Sequence, residues 1–240
     1  MSPPLPNATT LNFFPDEIWS GKEIHLTERY PSIWKLGKNV DQNWYRLVSE
    51  KDIREKRTPH AVAGFDCTYI GGLIPDNATS FHVTILMQLP YHGTEFHPAS
   101  VRARQASEKP CYHAQARLDA LISIADHGCR FPPRLMAHST QKQDENGLVP
   151  GGWIVYCVHT RTRGVLLMKS HLCPSIRTRG AIFFDYPRES RDLIRSLVKA
   201  AYNELESAKV SIRNEEVDLY WDECSSELQY CYWNVLAISL

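Results

Sequence analysis

Three of the pairs of histidine and cysteine that stand two residues apart in this sequence are candidates for zinc chemistry. They are His127 and Cys129, Cys157 and His159, and His171 and Cys173. On a β-strand, residues i and i+2 point to the same face, so two such pairs would supply a tetrahedral set of ligands. The spacings typical of structural zinc sites are absent from the sequence. We therefore favour partly buried thiols and surface histidines, and we predict no metal and no cofactor.

A second group of polar residues, His92, Glu95 and His97, places two imidazoles and a carboxylate within one short segment. Side chains of these types perform acid–base or metal chemistry when a fold fixes them close together. Nothing in the surrounding sequence fixes these three, because residues 90–110 contain three prolines and show little periodicity. A surface loop is therefore the preferred interpretation of this segment.

Aromatic residues recur in the second half of the chain and suggest a binding surface. Aromatic walls with a few polar groups suit an organic small molecule better than a triphosphate. The residues that we predict to bind such a ligand are Trp153, Tyr156, Tyr220 and Trp233. Ordinary packing in a hydrophobic core is the alternative for each of them.

Runs of β-branched and aromatic residues predict the strands that would position these groups. Strands are predicted over residues 65–74, 81–89 and 153–159, with a strand and turn over 32–40 and a final pair of short strands over 217–233. Residues 131–138 are predicted to be an extended entry into another strand.

Helical spacing of apolar residues predicts two amphipathic helices. Leu118, Leu121, Ile122 and Ala125 follow the i, i+3, i+4, i+7 pattern, which predicts a helix over 111–126. A second helix is predicted over 191–208, where Leu193, Ile194, Leu197, Ala201 and Leu205 share a face. The chain is thus expected to be α+β.

The order of these elements resembles that of the compact fungal relatives of protein kinases and aminoglycoside phosphotransferases. Three segments carry the resemblance, and they are residues 111–135, residues 150–167 and residues 191–233. The resemblance implies a two-lobed, protein-kinase-like fold. Its parts would be a flexible arm over 1–12, a strand-rich N-lobe-like region over 13–158, and a reduced helical C-lobe-like region over 159–240 that ends in a β-hairpin.

The residues that phosphoryl transfer requires are replaced at the positions that the resemblance assigns. Asp218 falls at the metal-binding Asn, Arg213 at the catalytic Asp and Tyr232 at the second metal-binding Asp. Arginine stays protonated and cannot act as a base, and tyrosine is a poor ligand for Mg²⁺. No glycine-rich phosphate loop stands out beyond Gly71-Gly72, and the predicted strand at 81–89 contains no lysine. The resemblance is therefore to a degenerate, pseudokinase-like member.

These replacements lead to three functional hypotheses. The preferred one is a protein of fungal specialised metabolism that binds an organic small molecule in the former nucleotide cleft. Arg213, Asp218 and Tyr232 would line that cleft, and His113 would transfer protons. Any activity would then be a non-phosphoryl, cyclase-, isomerase- or lyase-like reaction. The alternatives are a non-catalytic pseudokinase scaffold and an atypical ATP-dependent phosphotransferase, and a rise in melting temperature with Mg-ATP would favour the last.

Composition limits the partners that the chain is expected to have. The 27 basic residues balance the 27 acidic ones, so no bulk charge attracts nucleic acid or an anionic membrane. No apolar run approaches the roughly 18 residues of a membrane span. Seven cysteines at irregular spacing and a start without a signal-peptide pattern predict reduced thiols in the cytoplasm. The oligomeric state is left open by the sequence.

Overall fold

The computed structural model describes residues 12–45, 57–73, 80–161 and 186–210. The chain divides into two compact units. One unit comprises Met1–Leu118 and Met136–Thr160, and the other comprises Asp119–Leu135 and Arg161–Leu240. Among the helices of the described segments, none combines the length and the apolar character that crossing a membrane requires.

Six strands and four helices are formed by the described residues. The strands are β1 (Glu23–Leu26), β2 (Ser32–Tyr45), β3 (His60–Gly72), β4 (Phe81–Gln88), β5 (Leu135–Lys142) and β6 (Trp153–Thr160). The helices are α1 (Asp16–Trp19), α2 (Ala99–Ala103), α3 (Tyr112–Asp126) and α4 (Arg188–Ser207).

The strands form one sheet in the order β1-β2-β3-β4-β6-β5. The pairs β1–β2, β2–β3, β3–β4 and β4–β6 are all antiparallel. A single antiparallel bridge between Glu28, just after β1, and His138 of β5 joins the two edges of the sheet. The result is a nearly closed six-stranded barrel with few helices. The predicted two-lobed, kinase-like fold is therefore wrong, and the hairpin predicted over 217–233 lies outside the described residues.

The inner face of the barrel is a hydrophobic core, because alternate residues of each strand point inward. Trp34 is fully buried there, and its ring lies 4.8 Å from that of Phe81 and 5.4 Å from that of Tyr69. Its indole N–H donates a 2.8 Å hydrogen bond to the hydroxyl of Ser32. Phe14 and Trp19, from the segment around α1, contact Phe65 of β3. The odd-numbered residues of β3 and the even-numbered residues of β6 point into this core. The residues between them therefore lie on the outer face of the sheet.

The long strand β2 departs from the sequence prediction. The predicted turn at 38–40 is wrong, since the strand continues to Tyr45 through two irregularities in its pairing with β3, between Leu36 and Asn39 and between Asn39 and Asp41. Gly37 permits this course. A Cβ atom at that position would lie 3.1 Å from the backbone oxygen of Asp66, tighter than an ordinary contact. Glycine here serves a close approach of two strands instead of ending one.

Four of the other local predictions are confirmed. Strands β4 and β6 and helices α3 and α4 form where the sequence patterns predicted them, to within a few residues. Strand β3 begins earlier than predicted, at His60 instead of residue 65. This earlier start brings His60 into the sheet.

The second unit has a small core of its own. Ile124 at the end of α3 packs with Ala201 and Leu205 of α4. Arg130 donates from its backbone N–H and its Nε to the two carboxylate oxygens of Glu204, at 2.7 and 2.9 Å. Burial raises the pKa of Glu204, but these bonds and the charge of Arg130 outweigh it and hold the pKa below its usual value. The pair therefore contributes stability at neutral pH that is lost on acidification.

Candidate functional site

His60 opens strand β3 and lies on the outer face of the sheet, because its neighbour Ala61 points into the core. Pairing with Gln88 of β4 fixes its backbone in the middle of the sheet. The side chain is buried, with 5% of the residue exposed. Burial, aided by the nearby His113 and opposed by a backbone hydrogen bond to Thr58, lowers the pKa of His60. The imidazole is therefore uncharged at neutral pH.

Cys111 stands immediately before helix α3 and contacts His60. Its Sγ lies 3.6 Å from Nδ1 of His60, within hydrogen-bond distance for sulfur, and the residue is partly exposed. Burial raises the pKa of the Cys111 thiol, and the backbone N–H groups of Ala114 and His113, in the first turn of α3, oppose this rise only in part. The thiol is therefore protonated at neutral pH.

His113 covers this pair from the solvent side. Its side chain is exposed on the first turn of α3, and its ring lies 6.0 Å from the ring of His60 with an angle of 23° between the planes. The ring of Tyr112 lies 5.8 Å from it, edge on. An exposed imidazole therefore stacks over a buried one.

Trp153 completes the group from the first position of β6. Its ring centroid lies 6.3 Å from that of His60, and only 1% of the residue is exposed. Its indole Nε1 is buried and has no hydrogen-bond partner among the described residues. Buried N–H groups are nearly always paired, so this one requires an explanation. We call His60, Cys111, His113 and Trp153 the His60 cluster.

Two of the residues predicted from the sequence, His113 and Trp153, are thus brought together through His60. No family model, no curated protein and no solved structure matches this chain. The kinase-like resemblance therefore stays a prediction that no match tests. Evidence for a function therefore comes from the geometry of the His60 cluster.

The other predicted site residues are not part of this cluster. Tyr156 lies in the hydrophobic core of the barrel, on the opposite face of β6 from Trp153, and burial raises the pKa of its hydroxyl. The remaining residues lie outside the described part of the chain, and they are Arg213, Asp218, Tyr220, Tyr232 and Trp233.

Two of the three histidine–cysteine pairs lie among the described residues, where their side chains have other contacts. No group of three or more potential metal-ligating side chains is found among the described residues. Nδ1 of His127 lies 2.8 Å from the backbone oxygen of Ser123, and the thiol of Cys129 donates to the backbone oxygen of Glu204 at 3.5 Å. His171 and Cys173 lie outside the described residues.

The loop containing His92, Glu95 and His97 is held by backbone contacts. Nδ1 of His92 lies 3.8 Å from a carboxylate oxygen of Glu95. Arg102 of α2 donates to the backbone oxygen of His97 at 3.0 Å and to that of Leu148 at 2.6 Å. Arg102 therefore joins two loops at one end of the barrel.

Cys157 and His159 do share the outer face of β6, as the spacing predicted. Cys157 is buried, and His159 contacts other residues of the sheet. Burial raises the pKa of Cys157 to about 12. Nε2 of His159 lies 3.2 Å from the hydroxyl of Thr84, and its Nδ1 lies 3.2 Å from the backbone oxygen of Thr160. Since a carbonyl can only accept, Nδ1 carries the proton and Nε2 accepts from Thr84.

Replacing His159 with glutamine is expected to make the stability of the barrel less sensitive to acid. Burial, with His82 and Arg117 adding to it and the bond to Thr160 opposing it, lowers the pKa of His159 from 6.5 to about 4. An uncharged folded form contributes stability that is present above about pH 6.5 and lost as pH falls towards 4. Because the residue is partly exposed, we expect His159 to reduce the free energy of unfolding of the wild-type protein by about 2 kcal/mol between pH 6.5 and pH 4.

Denaturant unfolding of both proteins between these pH values measures the effect. The slope of unfolding free energy against pH should be lower in the His159→Gln variant by about 0.8 kcal/mol per pH unit, which is about 2 kcal/mol spread over this window. The control is His25→Gln, which changes an exposed histidine of β1 and should leave the slope as it is. Equal slopes in the wild type and the His159→Gln variant would contradict the prediction.

His60 and Cys111 are not among the site residues predicted from the sequence. They are 51 positions apart, so no spacing rule joins them. One local signal was available. Cys111 and His113 are a further cysteine–histidine pair two residues apart, and this pair is the one that the fold brings to another histidine.

Proposed function

We propose that this chain binds an uncharged organic small molecule, one that carries a planar ring and a carbonyl oxygen, at the His60 cluster. The observation that supports the proposal is the buried indole N–H of Trp153, which has no partner among the described residues. A buried donor without an acceptor costs about 1–3 kcal/mol. A ligand oxygen that accepts from Nε1 removes that cost, which favours binding.

The chemistry of the neighbouring groups selects the class of ligand. A thiol, an indole and the uncharged imidazole of His60 offer hydrogen bonds but no positive charge, so a triphosphate gains little from them. The exposed ring of His113 offers a face on which a planar ring can stack. The proposal keeps the small-molecule ligand predicted from the sequence, but it changes the site from the cleft of a kinase to the outer face of a barrel.

Benzylacetone, a saturated ketone with a phenyl ring, is a suitable probe of this site. On titration, the NMR resonance of the Trp153 indole N–H should shift, because its proton enters a hydrogen bond with the ketone oxygen. Trp153→Phe keeps an aromatic ring but removes the donor. We expect it to weaken binding about tenfold, the effect of one hydrogen bond of about 1.4 kcal/mol.

Trp34→Phe is the matched control for this variant. Trp34 is equally buried, but it lies in the core of the barrel and its N–H is already bonded to Ser32. The control should bind benzylacetone as the wild type does. The absence of a shift at the Trp153 N–H, or an equal loss of binding in both variants, would contradict the proposed function.

A further inference from the structure

The sulfur of Cys111 is placed as a nucleophile would be. Nδ1 of His60 lies 3.6 Å away, and burial keeps that imidazole uncharged and able to accept a proton. The sulfur stands at the N-terminus of the 15-residue helix α3, whose dipole favours negative charge there, although burial raises the pKa of the thiol overall. The residue is partly exposed, so a ligand can reach it.

A second observation connects this sulfur to a ligand. The ring of Trp153 lies on the same face of the sheet, 6.3 Å from the ring of His60, and its N–H is buried and has no partner among the described residues. A nucleophile and a donor for oxygen therefore lie beside one imidazole, which can serve as the base. Addition to a carbonyl compound requires these three roles.

We propose that the ligand of the His60 cluster is an α,β-unsaturated ketone or aldehyde, and that Cys111 adds to it to form a thioether. The inference rests on the proposed function, because the indole N–H must first hold the carbonyl oxygen. It adds the chemical class of the ligand and the covalent bond.

The addition is balanced by groups already in the cluster. As the sulfur of Cys111 bonds to the β-carbon, the thiol proton passes to His60. The electron pair of the carbon–carbon double bond moves towards the carbonyl, and the enolate oxygen accepts from the N–H of Trp153. His60 then returns the proton to the α-carbon. The thioether is saturated, the imidazole is again uncharged, and no oxidant or reductant is consumed.

The four described cysteines differ in their surroundings. Burial raises the pKa of all four described cysteines, to about 12 at Cys67 and Cys157. Among these four, Cys111 is the one whose sulfur has a histidine nitrogen within hydrogen-bond distance to take the proton. The other three thiols are therefore internal controls within the same molecule.

The reaction is tested with benzalacetone, the unsaturated analogue of benzylacetone. After timed incubation with the wild-type protein, digestion and mass spectrometry give the rate of adduct formation at each cysteine. We expect Cys111 to react at least about tenfold faster than Cys67, Cys129 and Cys157, because it has a base beside it. An excess of benzylacetone should slow Cys111 alone, since both ketones occupy one site.

Variants assign the roles of the individual groups. Cys111→Ser should remove the fast adduct, and Cys129→Ser should leave it unchanged. His60→Gln should slow Cys111 at least about tenfold, and Trp153→Phe, which leaves the base in place, should slow it as much as it weakens benzylacetone binding.

The outcomes separate this inference from the proposed function. If benzylacetone binds but Cys111 reacts no faster than Cys129, the covalent step is overturned and binding stands. If benzylacetone does not bind and no fast adduct forms, both are overturned. If a fast adduct forms at Cys111 and benzylacetone does not slow it, the thiol reacts without binding of the ketone at the His60 cluster. This result also overturns the inference.

Discussion

Replacing Gly72 with alanine is expected to lower the free energy of unfolding by about 3 kcal/mol. The φ angle of Gly72 is +114°, a conformation that costs a residue with a Cβ about 1–3 kcal/mol. A Cβ there would also lie 2.4 Å from the backbone oxygen of Pro31 and 2.7 Å from Cα of Ser32. These are backbone atoms at the paired start of β2, so the sheet itself must move to admit the methyl group.

Gly71→Ala is the matched control, one residue earlier in the same strand. A Cβ at Gly71 meets no atom within 4 Å, and its φ angle lies outside the positive range. We expect this variant to stay within about 0.5 kcal/mol of the wild type. Denaturant unfolding measures both, and equal losses at the two positions would refute the assignment of strain to Gly72.

The two glycines also show what the sequence does not reveal about the fold. Gly71-Gly72 is too weak a signal to predict a phosphate loop, and in the structure the pair ends β3 against the start of β2. Helical and strand periodicity is a local property, and it correctly predicted α3, α4, β4 and β6. It carries no information about which strands become neighbours. The kinase-like order was one arrangement of these elements, and the nearly closed barrel is another.

Closure of the barrel depends on contacts that the sequence does not reveal. Glu28 and His138 exchange backbone hydrogen bonds at 3.1 and 3.3 Å although they are 110 positions apart. Beside them, the hydroxyls of Thr27 and Ser139 lie 3.4 Å apart, and Gln141 donates to the backbone oxygen of His25. Single polar residues make this seam, and no hydrophobic pattern marks them. The closure of the barrel could therefore not be predicted from the sequence.

The candidate site was predictable only in part, for a similar reason. Trp153 and His113 were selected by residue type, and both belong to the His60 cluster. Tyr156 was selected by the same argument, but alternation along β6 turns it into the core. His60 precedes the strand that the sequence predicts over 65–74, so the sequence pattern does not place it in the sheet. Which aromatic residue faces a ligand depends on strand register, and register follows from the whole sheet.

Replacing Gln143 with leucine is expected to lower the free energy of unfolding by about 3 kcal/mol. The side chain is buried beyond the end of β5. Its oxygen accepts from the backbone N–H of Val149 at 3.0 Å, and its amide donates to the backbone oxygens of Gln88 at 2.8 Å and Trp153 at 3.4 Å. Leucine leaves these buried groups unpaired, at about 1–3 kcal/mol for each one that finds no new partner.

Gln141→Leu provides the comparison, because Gln141 lies two residues earlier and makes an exposed hydrogen bond to the backbone oxygen of His25. We expect that variant to lose less than about 1 kcal/mol. If Gln143→Leu lowers the free energy of unfolding no more than this control does, the buried amide of Gln143 does not contribute to stability.

Gln143 also connects stability to the site, since it binds the backbone of Trp153, the residue whose indole N–H is proposed to hold the ligand. In the absence of denaturant, Gln143→Leu should therefore weaken benzylacetone binding as well, and Gln141→Leu should not. Unfolding measured by denaturant and binding measured by NMR separate the two effects. A Gln143→Leu protein that is destabilised but binds with unchanged affinity would mean that the rest of β6 suffices to hold the indole in place.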